Sequence, residues 1–456
     1  MTERIINGLH PNNLRYLFYL VTPNETIYST MEEVPNYTDL SVIWLLVLVI
    51  TEFYFLDDRK YAFNDTVTSI NAGIFSLLIK FGGRYLSAKL YKDVYDYIHI
   101  IDLPPDSPTT WIICFFSQDL MYYLGHRAIH EAGVFWSFHQ MHHSSEYYNL
   151  STALRQGAVQ DFGMAFFDLL QCIAIPPNIF VVHRYLNVLY QFWLHTEMIP
   201  YLGFLEYFFN TPSSHRVHHG RNAYCIDRNY GGTLIIWDRL FGTYAREKEN
   251  EEIAYGLVSP VNTFDQFYCQ FFEFKELGYD KARLKDDKGN EIFPTWLEKF
   301  KATFGPPGYF PGVKTKQFFW WRCMVDNEEG IPEIEKPIRV YNPTLNYPIR
   351  LYLLATMLVL VSSALHFNEI RQTLSNYQCM LYFIYLLAIM QTFGYYFDQS
   401  KWAFHFDLFR LAVLLVGGLN YDNMSLINYS LISLFTIITL NSLGLIDPAK
   451  ETKKIQ

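Results

Sequence analysis

Apolar segments alternate with polar stretches along most of this chain, and many of them are long enough to cross a bilayer. A helix needs about 20 apolar residues to span roughly 30 Å of hydrocarbon. The pattern predicts three spans, then a hairpin of two, then four more. The predicted segments are 40–56, 67–90, 108–125, 157–175, 178–209, 348–367, 379–397, 404–419 and 425–445.

The hairpin is predicted from a proline pair. Pro176 and Pro177 separate the fourth and fifth segments, and proline cannot continue a helix. We therefore expect the chain to return to its starting side there. Asp161 and Asp168 would share one face of the first arm, either beside an internal cavity or paired with Arg155 or Arg184.

Composition supports a membrane protein. Half of the 456 residues are hydrophobic and only 18% are charged, which is apolar for a soluble chain. The net charge of -9 argues against nucleic-acid binding, which needs an excess of Lys and Arg. The six cysteines are scattered without a CxxC pair, so neither a disulfide framework nor a thiolate metal site is predicted. The first 38 residues lack the pattern of a removable signal peptide.

Histidines crowd the middle of the chain. Ten of the fourteen lie between positions 126 and 219, and eight of these form an HxxxH box and two HxxHH boxes. Residues three and four apart share a helix face, so each box would direct its imidazoles to one place. The eight box residues are His126, His130, His139, His142, His143, His215, His218 and His219.

A metal centre is the chemistry that this crowding predicts, because imidazole is the commonest protein metal ligand. Eight ligands exceed what one ion can hold, so we expect two ions with about four ligands each. His195 is predicted as a ninth ligand, and His183 as a structural residue. The spacing leaves open whether four nitrogens close a tetrahedral zinc site or leave positions free on iron.

Two acidic residues near the first box are candidate supporting groups. Asp119 precedes His126 by seven residues, so on a helix it would share a face with His126 and His130. It would either accept a hydrogen bond from a ligating imidazole or be an ordinary helix-end carboxylate. The same two alternatives apply to Glu131.

The three boxes, in this order and within a membrane protein, resemble the fatty acid hydroxylase and sterol desaturase superfamily. The run 222–243 (NAYCIDRNYGGTLIIWDRLFGT) is similar to that superfamily too, and the resemblance covers residues 119–267. The run 255–267 (YGLVSPVNTFDQF), the chain length and the apolar segments after it narrow the resemblance to the tetrahydrobiopterin-dependent hydroxylases of alkylglycerol ether lipids.

This resemblance implies a site of two iron ions that uses O2 on a lipid C–H bond. The eight box histidines would be catalytic, and hydroxylation of the ether-linked carbon would yield a fatty aldehyde and a glycerol derivative. No GxGxxG, Walker or CxxCH motif occurs in the sequence, so the electrons must come from a diffusible cofactor or another protein. The resemblance implies tetrahydrobiopterin. The alternatives are a sterol or fatty-acyl hydroxylase or desaturase using cytochrome b5, and a zinc-binding membrane transporter.

The predicted organisation has four parts. Residues 1–110 hold two spans, 111–267 form the catalytic region, 268–347 form a charged cytosolic cap or loop region over the di-metal site, and 348–456 hold the last spans and a basic tail.

Because nine is an odd number, the two termini are predicted on opposite sides of the membrane, the N-terminus in the lumen and the C-terminus in the cytosol. The histidine boxes then lie on the cytosolic side. The Lys- and Arg-rich stretch 239–350 then lies on the cytosolic side, and the glycosylation motifs at Asn24 and Asn36 lie on the luminal side. Lys453 and Lys454 resemble an endoplasmic-reticulum retrieval signal, although a solvated basic tail would have the same composition.

Overall fold

The computed structural model describes residues 6–57, 60–313, 331–420 and 423–446, and the regular secondary structure among them is helical. No strand forms among them, and β pairing is limited to isolated bridges. The predicted all-α class is therefore confirmed. The helices are α1 Pro11–Arg15, α2 Pro23–Thr26, α3 Tyr37–Phe55, α4 Phe63–Ile98, α5 Pro108–Glu131, α6 Gly133–Trp136, α7 Gln140–His143, α8 Gln160–Leu169, α9 Pro177–Tyr190, α10 Pro212–His219, α11 Ile236–Phe241, α12 Gln266–Lys275, α13 Trp296–Phe304, α14 Tyr347–Ile370, α15 Asn376–Phe397, α16 Ala403–Asn420 and α17 Met424–Ser442.

Local sequence explains where several of the long helices begin. The side chains of Asn36, Ser107, Ser375 and Asn423 each accept a hydrogen bond from a backbone N–H in the first turn of the helix that follows. Such caps satisfy N–H groups that have no partner within the helix.

Five helices among the described residues are long and apolar enough to cross a membrane. They are α3, α15, α16, α17 and α14 with its 3-10 extension to Thr373. Each corresponds to a predicted segment, which confirms a multi-pass membrane protein. The dilysine motif lies outside the described residues.

The predicted total of nine spans is not reproduced in the part of the chain that the structure describes. The hairpin arms form helices of only 10 and 14 residues, each followed by a short 3-10 turn, and the second arm leaves helical structure at His195. Over the residues that the structure describes, neither α4 nor α5 qualifies as a candidate span. The C-terminal half of α5 is largely buried and includes the charged Arg127 and Glu131, whereas Ile112, Ile113 and Phe116 in its N-terminal half are exposed.

Helix α5 is the centre of the histidine-rich region. Both hairpin helices, α8 and α9, pack against it. Arg184 on α9 joins the two arms, with Nε 2.9 Å from an Asp168 oxygen and Nη2 3.8 Å from an Asp161 oxygen. The predicted pairing of these aspartates with Arg184 is therefore the one observed.

The C-terminal helices form a separate apolar core with α4. This core includes Phe75 from α4, Leu353 from α14, Phe393 from α15 and Leu411 from α16. The carboxylate of Asp398, just after α15, accepts a hydrogen bond from the backbone of Phe264 at 2.8 Å. That bond attaches the segment leading into α12 to the end of a candidate span.

Candidate metal centre

Nine buried histidines meet beside the inner end of α5, and they are the nine predicted from the sequence. They form two groups, and within each group the candidate ligand atoms all lie within 4.8 Å of one another. The first group is His126, His130, His139, His143 and His218, and the second is His142, His195, His215 and His219.

Each histidine box lies on a short stretch of helix. His126 and His130 are one turn apart on α5, the second box forms α7 with His139 as its N-cap, and the third box ends α10. The neighbours His142 and His143 join different groups. Successive side chains on a helix point about 100° apart, so one box can supply ligands to both groups.

Backbone carbonyls fix the protonation of several of these rings. The Nδ1 atoms of His126, His142 and His195 each lie 2.8 Å from a carbonyl oxygen, those of Tyr230, Arg155 and Gln191 respectively. A carbonyl can only accept, so each Nδ1 carries the proton and each Nε2 presents a lone pair. This is the usual way in which the outer nitrogen of a metal-bound histidine is held.

The facing lone pairs fit a bound cation. The Nε2 of His195 lies 3.1 Å from that of His142, although neither nitrogen carries a proton to donate. Nitrogens about 2.1 Å from one ion stand about 3.0 Å apart when they subtend a right angle at it. The donor set and its spacing therefore fit a metal.

Burial favours the neutral form of the imidazoles, which is the form that binds a metal. Burial lowers the pKa of His142 to about 4. Burial and the neighbouring imidazoles hold the pKa values of His143 and His219 well below the usual range. In addition, the Nε2 atoms of His143 and His218 are buried without a hydrogen-bond partner among the described residues.

The imidazole-orienting role considered for Asp119 is wrong. Its carboxylate accepts hydrogen bonds from the backbone of Thr233 and Leu234 and from the side chains of Trp237 and Asn187, at 2.7 to 3.0 Å. No histidine donates to it. Asp119 instead attaches the loop after the third box to α5, because that loop folds over the helix face that carries Asp119.

The remaining polar candidates have structural partners. The buried His183 lies with Nδ1 2.6 Å from the hydroxyl of Tyr19 and outside both groups, so its predicted structural role is consistent with the geometry. Glu131 pairs with Arg127 at 3.0 Å and accepts from the hydroxyl of Tyr230 at 3.2 Å.

Sequence reasoning did not identify several residues that position the ligands. Arg155, whose carbonyl binds His142, forms a buried ion pair with Asp65, ninety positions earlier on α4. Glu52 at the end of α3 accepts from the backbone of Leu150 at 2.6 Å and from the hydroxyl of Thr196, next to His195. These contacts are long-range, so no local spacing signals them.

Aromatic side chains line the site. They too were not identified from the sequence. The ring of Trp136 lies 4.9 Å from that of His130 and 5.3 Å from that of His143, centroid to centroid. Tyr148 stacks beside His195, a member of the second group. These rings shield the histidines from water, which strengthens electrostatic interactions at the site.

Comparison with known proteins places these residues in a family. Residues 111–243 match the fatty acid hydroxylase family. The chain is 46% identical to the alkylglycerol monooxygenase of Caenorhabditis elegans, over 92% of this chain and 85% of that protein. Alkylglycerol monooxygenases of Xenopus tropicalis and Homo sapiens are 36% and 35% identical, over 90% and 88% of this chain and 88% and 87% of theirs.

No solved structure matches the chain. The curated relatives are similar over nearly its whole length, including the apolar segments outside the histidine-rich region. The resemblance predicted from the histidine boxes, and narrowed by the run 255–267, the chain length and the later apolar segments, is confirmed: the chain belongs to the alkylglycerol monooxygenase family.

Proposed function

We propose that this membrane lipid monooxygenase uses two iron ions, O2 and tetrahydrobiopterin to hydroxylate the ether-linked carbon of alkylglycerols. The proposal rests on two adjacent histidine groups, one with five candidate ligands and the other with four. The names of the curated relatives support the substrate class.

The first group would hold one ion through His126, His130, His139, His143 and His218, and the second group would hold the other through His142, His195, His215 and His219. Five nitrogens exceed the four ligands of a closed structural zinc site, which favours a six-coordinate metal. Iron bound there supplies the activation of O2 and the removal of a hydrogen atom from the substrate carbon.

The residues of the chain orient and shelter this centre. Carbonyl oxygens at Tyr230, Arg155 and Gln191 hold three imidazoles in the tautomer that directs Nε2 inward. Trp136 packs against a histidine of the first group and Tyr148 against one of the second. Exclusion of water also protects an oxidising centre from side reactions.

The overall reaction balances with the proposed co-substrates. One oxygen atom of O2 is inserted into a C–H bond of the carbon attached to the ether oxygen. The other oxygen atom is reduced to water. Tetrahydrobiopterin would supply the two electrons and two protons that this requires and would be oxidised to a dihydrobiopterin. The hydroxylated product is a hemiacetal, which breaks its C–O bond to give a fatty aldehyde and a free glycerol hydroxyl, so no separate hydrolase is needed.

The proposed location is the endoplasmic-reticulum membrane, with the histidine groups on the cytosolic side. One candidate span precedes the histidine-rich region and four follow it. With five spans, as with nine, the N-terminus and the C-terminus lie on opposite sides of the membrane. The histidine groups remain on the cytosolic side. In this arrangement residues 111–267 are the catalytic region, 268–347 the cytosolic cap, and 1–110 and 348–456 the flanking membrane regions.

The proposal is tested with membranes containing the full chain, supplied with an alkylglycerol and O2. Fatty aldehyde is measured with tetrahydrobiopterin, with reduced cytochrome b5, and with neither, while the metal content of the purified protein is measured separately. We expect aldehyde only with the pterin, and iron as the bound metal. Turnover with cytochrome b5 alone, or zinc without O2 consumption, would contradict the proposal.

A further inference from the structure

Helix α13 exposes an apolar face. Four of its nine residues are large hydrophobics with exposed fractions between 43% and 74%: Trp296, Leu297, Phe300 and Phe304. On a helix turning 100° per residue these positions fall within an arc of roughly 100°. They therefore form one continuous strip.

The other faces of α13 are polar or bound to the protein. Ala302 is fully buried against Phe293 and Ala282 in a small core of the cap. Lys301 is exposed at the edge of the apolar strip, where a lysine can extend its amine toward lipid headgroups. A helix with an apolar strip and flanking lysine is typical of segments that lie in a membrane interface.

We propose that α13 is an interfacial membrane helix whose strip Trp296, Leu297, Phe300 and Phe304 is covered by lipid. Helices α3 and α14 to α17 are long and apolar enough to cross a bilayer, so a lipid surface would lie beside this membrane protein. Trp296, at one end of the strip, is the residue type enriched at membrane–water boundaries.

Exposed aromatic rings lie between a candidate span and α13. Phe383 on α15 contacts the buried Phe75, which contacts Phe267 and Phe271 on α12, and these two rings are 38% and 39% exposed. Phe135 on α6 is also 39% exposed, and this short helix contacts α13. The apolar strip of α13 is therefore not the only apolar surface exposed in this part of the described chain.

The C-terminal end of α13 is tightly joined to the metal centre. The N–H of Gly133 donates to the carbonyl of Gly305 at 2.6 Å, and a Cβ at Gly133 would lie only 2.5 Å from the carbonyl oxygen of Thr303. Gly133 follows His130 by three positions, and Trp136 on the same short helix contacts the His130 ring. Insertion of α13 would therefore hold this side of the first histidine group close to the lipid surface.

The test uses the full chain in phosphatidylcholine nanodiscs with an environment-sensitive fluorophore attached to Phe300→Cys. The matched control carries it on Lys288→Cys, in an exposed turn of the same cap. Wild-type protein taken through the same labelling gives the background from native cysteines. Quenching is compared for a nitroxide on the lipid acyl chain and for iodide in the buffer.

We expect the label at position 300 to be quenched several-fold more by the lipid nitroxide, and several-fold less by iodide, than the label at 288. Equal quenching at the two positions would overturn the proposal, because the strip would then face water. Protection of position 300 from both quenchers would also overturn it, since protein would then cover the strip. The readout does not depend on catalysis, so it stands apart from the proposed reaction.

Discussion

The Nε2 atoms of His142 and His195 lie 3.1 Å apart, and both rings donate their only proton from Nδ1 to a backbone carbonyl. Two lone pairs at this distance repel each other unless a cation lies between them. His195 belongs to none of the three boxes, yet it sits within the second histidine group. This relationship gives the most direct test of the metal assignment.

Replacing His195 with Ala should remove the metal of the second group and leave that of the first. We expect metal content to fall by about half and oxidation to be lost, because both ions are needed in the proposed reaction. The matched control is His183→Gln, which changes another buried histidine of the hairpin that lies outside both groups. Full metal content in His195→Ala would show that this residue is not a ligand.

Substitutions in either histidine group should abolish activity, but each should remove a different metal ion. We expect His142→Ala and His218→Ala each to abolish aldehyde formation while the amount of protein in the membrane stays comparable. His218→Ala should lose the ion of the first group and His142→Ala that of the second. Retained turnover in either variant would count strongly against the di-iron proposal.

The Asp65 carboxylate should contribute strongly to stability because it pairs with Arg155 in the interior. Removing one partner of a buried ion pair typically costs about 3–5 kcal/mol. Asp65→Ala should therefore lower the thermal unfolding temperature clearly. Asp96→Ala is the control, since it breaks the exposed pair with Lys92 on the same helix and should leave the thermal unfolding temperature almost unchanged. Similar melting shifts in the two variants would contradict this role.

Asp238 should support the first histidine group from a distance. Its carboxylate accepts from the backbone N–H groups of Tyr230 and Gly231 at 2.8 Å, and the Tyr230 carbonyl holds His126. We expect Asp238→Ala to weaken metal binding by about 10- to 100-fold, the usual cost of losing an outer support. The measurement is metal retained during titration with a chelator.

The control for Asp238 is Asp286→Ala, which removes an exposed aspartate that also accepts backbone N–H groups, those of Lys288 and Asn290. Its metal affinity should equal that of the wild type. Unchanged retention in Asp238→Ala would show that the loop holds Tyr230 in place without this carboxylate.

Chelation of the metal should destabilise the whole histidine-rich region. Without a cation, facing lone pairs such as those of His142 and His195 remain in a buried site. A metal that binds only the folded state adds to its stability. We expect the melting temperature to fall after chelation and to recover when Fe²⁺ is restored under reducing conditions. An unchanged melting temperature would show that a bound ion does not stabilise the folded site.

The sequence by itself determined the helical class, the apolar segments that include the five candidate spans, and which nine histidines meet in the fold. These features are local, because hydrophobic runs and spacings of three and four residues follow directly from helix geometry. The adjacent histidines His142 and His143 show what helix spacing cannot predict. Their helical spacing predicts that both are ligands, but not that they serve different groups.

Tertiary structure decided that division, and it also decided that the two hairpin arms form helices of only 10 and 14 residues, too short for spans. These arms and the loop at Thr233 pack against α5. Asp119 has the spacing of an imidazole partner, but the same loop occupies its carboxylate. The physical reason is common to both cases: spacing fixes which face of a helix a side chain occupies, whereas long-range packing fixes what meets that face.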